Sequence, residues 1–414
     1  MSDAPPVDPS LIGKLASPEV RQNPYPAFAE LRAAAPVARA MEDIWIVSSA
    51  DYVEAVLNQP NTFSSDLRNA TAVFPTATDE APDPISQYSK HMMIFSDPPA
   101  HDRLRALVHQ AFGPRAINKI RPAVEKLVDE LLDSAAARGS MEVIEDLALP
   151  LPVTVICELM GIDEADRPKV HVWADVLSHQ LDNLAATDLE QRRRADEVLL
   201  EYADYLKRTF AVRRENPGDD LLSGLVHAEE EGAKLTEDEL IATCVLLLGA
   251  GHETTVGMIG NGTLAFLRHP DQWQLWRDNL QLGRHAVEEL FRYDGPVRLT
   301  HRATKAGAAI GDYSVPEGDL VLVLLAAANR DPAWFENPDQ LDLTRRGKHN
   351  FASGFGIHFC TGGVLSRMEV EVTFTKLAQK FETMATDLDL DEVPMRDAMM
   401  ICRPQRVPVT LTSS

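Results

Sequence analysis

Apolar residues recur at three- and four-residue spacing over most of this chain, the mark of helices with one buried face. That period predicts helices over Pro24–Ala35, Asp51–Leu57, Arg115–Ala137, Leu149–Met160, Ala165–Leu184, Leu189–Arg214, Asp219–Ala228 and Val364–Phe381, punctuated by Gly161, Pro217 and Gly232. Thr236-x-x-Glu239 reads as a capping box opening a longer helix to about Leu267. Asp97 and Pro98 suit the N-cap and first position of a helix carrying His101 and Arg105. Two-residue alternation is scarce: Trp45–Val47, then Ile310–Val315 and Asp319–Leu325 separated by Pro-Glu-Gly. Asn61–Met93 has no sustained period, and Asn329–Lys348 is a turn-rich meander. Residues 1–20 are Pro-rich and polar and predict a flexible segment. No repeat or linker interrupts 21–414, which reads as one domain, mainly α with a small β portion.

Composition narrows the function classes. With 414 residues, 45% hydrophobic and 25% charged, the chain can bury a substantial core. A net charge of −23 argues against binding nucleic acid or an anionic membrane surface. The N-terminus has no basic and apolar leader pattern, and the apolar runs Val245–Leu248 and Leu320–Ala328 are too short to span a bilayer. Cys157, Cys244, Cys360 and Cys402 are far apart, which suits a reducing cytoplasm rather than a disulfide framework.

Four stretches carry candidate chemistry. Phe351–Gly363 reads F-A-S-G-F-G-I-H-F-C-T-G-G: four glycines and one cysteine directly before a helix. Glycine lets backbone approach a bulky group, and amides at a helix mouth stabilise a thiolate. The loop therefore predicts a thiolate held against a large flat partner, or more plainly a glycine turn with a buried cysteine. Ala250–Thr255, A-G-H-E-T-T, places Gly251 inside the long helix, at a cost of roughly 1 kcal/mol relative to Ala. A Thr254 hydroxyl bonded to the Ala250 carbonyl would bend the helix there, beside a ligand or a closely packed helix. His101 and Arg105, four apart, share a helical face, and Glu289 and Arg292, three apart, can pair.

Gly354-x-Gly356-x-His358-x-Cys360-x-Gly362 followed by a helix resembles the haem-binding loop of cytochromes P450, and A-G-H-E-T-T, Glu289-x-x-Arg292, the His101/Arg105 pair and Arg345 fall in that family's order. The resemblance implies the P450 fold, a triangular helical architecture, and haem b as cofactor. Cys360 would be the axial thiolate ligand of the iron. His101, Arg105, Arg302 and His358 would meet the haem propionates, Gly354 and Gly362 would shape the loop, and Ala250 and Gly251 would cross the oxygen-binding face. Glu253 and Thr254 match the acid–alcohol pair that organises water and delivers protons, while Glu289, Arg292 and Arg345 match a structural network. Asn61–Met93, Val176–Leu184 and Val297, Arg298 and Leu299 would line the substrate cavity.

The implied function is a cytoplasmic, monomeric haem-thiolate monooxygenase that inserts one atom of dioxygen into a small or medium organic substrate. With no flavin or iron–sulfur module in the chain, electrons would come from a separate ferredoxin and ferredoxin reductase. A peroxide-driven haem enzyme and a non-catalytic haem ligand-binding protein are the alternatives. Six cations against two carboxylates within His101–Lys126, with Arg346 and Lys348, predict a docking patch for the acidic ferredoxin. One position departs from the family: Ser353 stands where Phe is usual. Either Phe351 or Phe355 refills that volume or a small space opens beside the loop, and Ser353 is expected to bring polarity or a water near Cys360 that tunes the haem potential.

Overall fold

The computed structural model describes residues 8–15, 17, 20, 22–73, 84–182, 189–230, 232–396, 398 and 400–413. Its axis is the helix Glu237–Arg268, capped as the sequence predicts. The Glu239 amide donates to the Thr236 hydroxyl at 3.3 Å, and the Thr236 amide to the Glu239 carboxylate at 2.8 Å. Nearly the whole helix is buried, because apolar residues surround it on every side. It alone among the described helices is long and apolar enough to cross a membrane, and its most apolar window is 78% buried within the protein. Three of its glycines exist for packing. A Cβ on Gly257 would lie 2.6 Å from Pro296, and one on Gly262 would lie 2.7 Å from Phe374. One on Gly260 would meet both Ile144 and Pro404 at 2.9 Å.

Around this axis pack the helices Pro114–Arg138, Pro150–Met160, Arg167–Asp182, Leu189–Glu215, Gly283–Asp294 and Gly363–Lys380, within one continuous hydrophobic cluster. Their bounds lie within a few residues of the periodic segments. Asp219–Ala228 is shorter than predicted: the helix is Leu221–His227, with Asp220 as its cap.

A second core lies under the main sheet, built on Trp45, Val47, Phe63, Val321, Val323 and Phe351. Its strands run in the spatial order Val37–Met41, Ile44–Val47, Leu320–Val323, Thr300–Thr304, Phe63–Ser64. Only the pairing of Leu320–Val323 with Ile44–Val47 is parallel. A smaller sheet joins Phe381–Ala385, Pro408–Ser413 and Ser140–Glu142.

Four sequence expectations need correction. Ile310–Val315 is a two-stranded hairpin, Ala309–Ile310 with Tyr313–Ser314, rather than one strand. Asp97 does not cap the next helix, which is Ala100–Ala111 and has no side-chain cap. Its carboxylate instead accepts from the Ser64 hydroxyl at 2.6 Å and the Ser65 amide at 2.9 Å, and pairs with Lys305 at 2.7 Å. The N-terminal segment holds a helix, Pro9–Leu15, because Leu11 finds burial against Phe28 and Leu31. The stretch Asn61–Met93 contains the short strand Phe63–Ser64 and the helix Pro84–Ser89, and its residues 74–83 lie outside the described ones, as do 183–188, which include the last two residues of the predicted Ala165–Leu184 helix.

Candidate functional site

Cys360 is the exposed cysteine; Cys157, Cys244 and Cys402 are buried. The loop that presents it turns through Gly354 and Gly356, at φ +74° and +69°, where side chains are strained. Gly356 also has no room for one, since a Cβ would stand 2.6 Å from the Leu57 carbonyl oxygen. The Cys360 amide donates to the Ser353 carbonyl at 2.9 Å and the helix starts at Gly363, so the sulfur stands before the helix mouth. Packed protein behind the thiol raises its pKa; the Gly362 amide, Arg367, Arg105 and the Gly363 amide pull it back down. Arg105 donates to the Phe359 carbonyl at 2.7 Å, tying the helix Ala100–Ala111 to this loop.

His101, His358 and Arg302 form the second part of the site. The two imidazoles lie 4.3 Å apart between centroids. His101 Nδ1 is 2.9 Å from Asp102, while Nε2 of both rings is buried without a hydrogen-bond partner. Burial, then Arg302 and His101, push His358 down to about 3, and burial brings the Arg302 guanidinium down to about 10. A buried guanidinium beside two unsatisfied imidazole nitrogens calls for an acceptor-rich anion. With the exposed thiol nearby, this donor set fits a flat group bearing acidic substituents on one edge.

The third part is a stripe on the long helix. Leu247, Ala250, Gly251 and Thr254 follow the i, i+3, i+4, i+7 rule and are the less buried positions of an otherwise buried stretch. A Cβ on Gly251 would meet nothing within 4 Å. The Thr254 hydroxyl donates to the Ala250 carbonyl at 2.8 Å. Glu253, one residue earlier, points elsewhere: Oε1 accepts from Arg396 at 2.5 Å and from Arg403 at 2.6 Å, and Oε2 is buried without a partner. Burial works to raise its pKa, but Arg403 and Arg396 outweigh it and hold the carboxyl below its ordinary value, hence ionised.

Glu289, Arg292 and Arg345 come together. Arg292 grips Glu289 with two bonds of 2.7 and 2.8 Å, and Arg345 Nε lies 3.1 Å from both carboxylate oxygens. Arg292 also donates to the Asn329, Pro338 and Gln340 carbonyls, which fastens the meander. Val297, Arg298 and Leu299 pack against different neighbours. Val297 packs against the sheet core and Leu299 against the cluster holding Phe28 and Leu31. Arg298 is buried, and its charge reaches the hydroxyl of Tyr25, which donates to Asp294.

The predicted basic patch is largely neutralised by carboxylates. Arg103 pairs with Glu239, Lys119 with Asp219, Arg121 with Glu125 and Glu371, and Lys126 with Glu130. Arg115 is exposed, and beside Cys360 so are the apolar Phe359 and Val364.

Sequence reasoning missed four contributors. Leu247 is legible from spacing alone. Arg396 and Arg403 reach Glu253 from 143 and 150 residues away, with no local signal. Arg367 meets Ser353: its Nη1 donates to the Ser353 hydroxyl at 2.9 Å. Phe351 and Phe355 face Trp334 and His349, so neither takes that place.

Comparison with known proteins agrees with this geometry. The family model described as Cytochrome P450 matches residues 35–410. The chain is 38% identical to cytochrome P450 monooxygenase PikC of Streptomyces venezuelae over 395 residues, covering 94% of this chain and 91% of that one. It is 37% identical to the vitamin D(3) 25-hydroxylase of Pseudonocardia autotrophica, covering 94% of each. The solved structure of the Bacillus subtilis bacillaene polyketide synthase cytochrome P450 PksS superposes with a TM-score of 0.87 at 33% identity, covering 96% of this chain and 99% of that one. The chain belongs to the cytochrome P450 family and is a haem-dependent oxidoreductase of the monooxygenase class.

Proposed function

We propose that Cys360 binds the haem iron through Sγ, and that this chain hydroxylates an apolar organic substrate with electrons from a separate ferredoxin. The observation that carries the reading is the convergence of the exposed Cys360 thiol with the unsatisfied Nε2 atoms of His101 and His358. His101, Arg302, His358 and Arg105 would hold the carboxylate edge of haem b: the two guanidiniums donate, His358 donates with its proton on Nε2, and His101, whose Nδ1 proton faces Asp102, donates from Nε2 when its ring is protonated. When bound, haem supplies the redox chemistry that divides dioxygen between substrate and water.

The protein's own residues do the rest. The Gly362 and Gly363 amides, set at the helix mouth, stabilise the Cys360 thiolate. The Thr254 hydroxyl has its proton committed to Ala250, so its lone pairs accept from a water on the open Gly251 side. Glu253 is held ionised, with Oε2 the oxygen able to take up a proton from solvent and pass it towards Thr254 Oγ1 once the arginine clamp yields. Two relatives bear names that specify vitamin D(3) hydroxylation and polyketide biosynthesis, which supports an apolar organic substrate. A ferredoxin would dock beside Cys360 on Phe359 and Val364, steered by Arg115 and Lys348. A cytoplasmic monomer fits this supply of electrons.

A compound that shifts the haem from low to high spin should be converted in the presence of NADPH, ferredoxin reductase and ferredoxin. Under isotopically labelled dioxygen, the product should carry one labelled atom. Conversion by peroxide alone would favour the peroxide-driven enzyme, and tight binding without conversion would favour a ligand-binding haem protein; either result contradicts the proposal.

A further inference from the structure

The residue that departs from the family, Ser353, is one of four groups that hold Arg367. Arg367 Nε donates to Glu288 Oε1 at 2.6 Å and Nη2 to Glu288 Oε2 at 3.1 Å, a two-pronged grip. Nη1 is shared between the Ser353 hydroxyl at 2.9 Å and the Gly363 carbonyl at 3.1 Å. The guanidinium lies 4.6 Å from the centroid of the Phe291 ring. Glu288 is itself fixed by Asn350 Nδ2 at 3.0 Å. No rotation of the guanidinium keeps all of these contacts.

This cation sits one helical turn beyond Gly363, whose amide donates to the Cys360 carbonyl at 3.2 Å, and only 13% of the Arg367 side chain meets solvent. Charges in such a setting are weakly screened. Arg367 Nη1 and Cys360 Cβ lie 3.1 and 3.8 Å from the place a Cβ on Gly363 would take, so the guanidinium stands beside the cysteine. A phenylalanine at position 353 would remove the hydroxyl that accepts from Nη1 and leave Glu288 and the Gly363 carbonyl to hold the guanidinium.

We propose that Ser353 and Glu288 together position Arg367 as the cation that tunes the reduction potential of the haem held by Cys360. The inference rests on the reading that Cys360 is the iron ligand. Adding an electron makes the haem–thiolate unit one charge more negative, so a fixed cation favours the reduced form and the Glu288 carboxylate partly offsets it. Ser353 and Glu288 act through Arg367 and are positioning residues.

The test is spectroelectrochemical titration of the holoprotein, with the reduced carbonyl spectrum recorded for each variant. Arg367→Gln should lower the ferrous-to-ferric ratio at fixed potential about tenfold, equivalent to about 59 mV for one electron. Ser353→Phe and the smaller change Ser353→Ala should shift it in the same direction, and Glu288→Gln in the opposite direction. Arg367→Lys, which keeps the charge, should stay nearer the parent protein. Ser353→Phe combined with Arg367→Gln should shift the potential no further than Arg367→Gln alone. Shifts of the same sign for Arg367→Gln and Glu288→Gln, or unchanged potentials in both with the thiolate-type carbonyl band intact, overturn the proposal. A parent protein lacking that band would instead refute Cys360 as the ligand, and a full set of unshifted bands separates the two failures.

Discussion

Glu253→Gln removes the charge on which two buried arginines close. The Glu253 side chain is fully buried, and those of Arg396 and Arg403 are 10% and 11% exposed. Stripping one partner from such a cluster leaves uncompensated charge in a poorly solvated place, at a cost of about 3–5 kcal/mol. Unfolding entropy of about 2.1 cal/mol/K per residue gives about 0.9 kcal/mol/K for 414 residues, so the Tm should fall by about 3–6 °C. The effect carries a pH signature. The folded-state pKa of Glu253 lies below its ordinary 4.5, so its stabilisation is present above that value and is lost as pH falls through the folded pKa. The gap between parent and variant should be full at neutral pH and close in acid. Combining Glu253→Gln with Arg403→Gln should cost less than the sum of the two, because one stranded cation goes with its partner. Calorimetry of holoproteins with matched haem content measures all of this. An unchanged Tm for Glu253→Gln at neutral pH would refute the clamp as a source of stability and leave Glu253 a proton carrier only.

Thr254→Ala should retain the parent stability to within about 1 kcal/mol, since one hydroxyl bond is at stake, yet release peroxide and yield less product per NADPH; unchanged coupling would reduce Thr254 to a helix-bending residue. Glu369 behaves oppositely to Glu253: burial pushes its carboxyl up to about 8, so it is neutral when folded and opposes folding increasingly as pH rises above 4.5. Glu369→Gln should therefore gain in Tm over the parent as pH climbs towards 8, and a pH-independent difference would contradict that assignment. Electron transfer from an acidic ferredoxin should slow with added salt and with Arg115→Glu or Lys348→Glu, whereas Arg121→Glu, whose cation is already paired, should change it less; salt indifference would reject the docking face. Spin-shift affinities for a carboxylic acid and its methyl ester should not be separated by Arg298→Ala, because Arg298 is buried on the Tyr25 side; a selective loss of the acid would place it at the substrate.

The long helix was legible because its cap, its period and its one open stripe are all local properties of sequence. The strands Thr300–Thr304 and Val37–Met41 were not, since T-H-R-A-T and V-A-R-A-M carry little apolar alternation and owe their conformation to neighbours in the sheet. Pro408–Ser413 does turn Val409 and Leu411 inward, but over too few residues to stand apart from a loop. In the candidate site, the glycine loop and the Thr254 bond to Ala250 were readable from spacing, whereas His101 and Arg105 were marked out by the family resemblance. The arginines that hold Glu253 come from a C-terminal segment with no regular pattern. Gly257, Gly260 and Gly262 likewise answer to side chains distant in sequence, so composition offered no reason for them. Ser353 was visible as a departure, while the guanidinium that meets it sits 14 residues on and declares itself only in three dimensions.

The central claim is that Cys360 alone of the four cysteines binds the haem iron, and the reduced carbonyl spectrum tests it most directly. The parent protein and Cys157→Ser should both show the Soret band diagnostic of thiolate ligation, and Cys360→Ser should lose it while keeping the helical far-ultraviolet spectrum. A thiolate band that survives Cys360→Ser, or disappears in Cys157→Ser, would contradict the account.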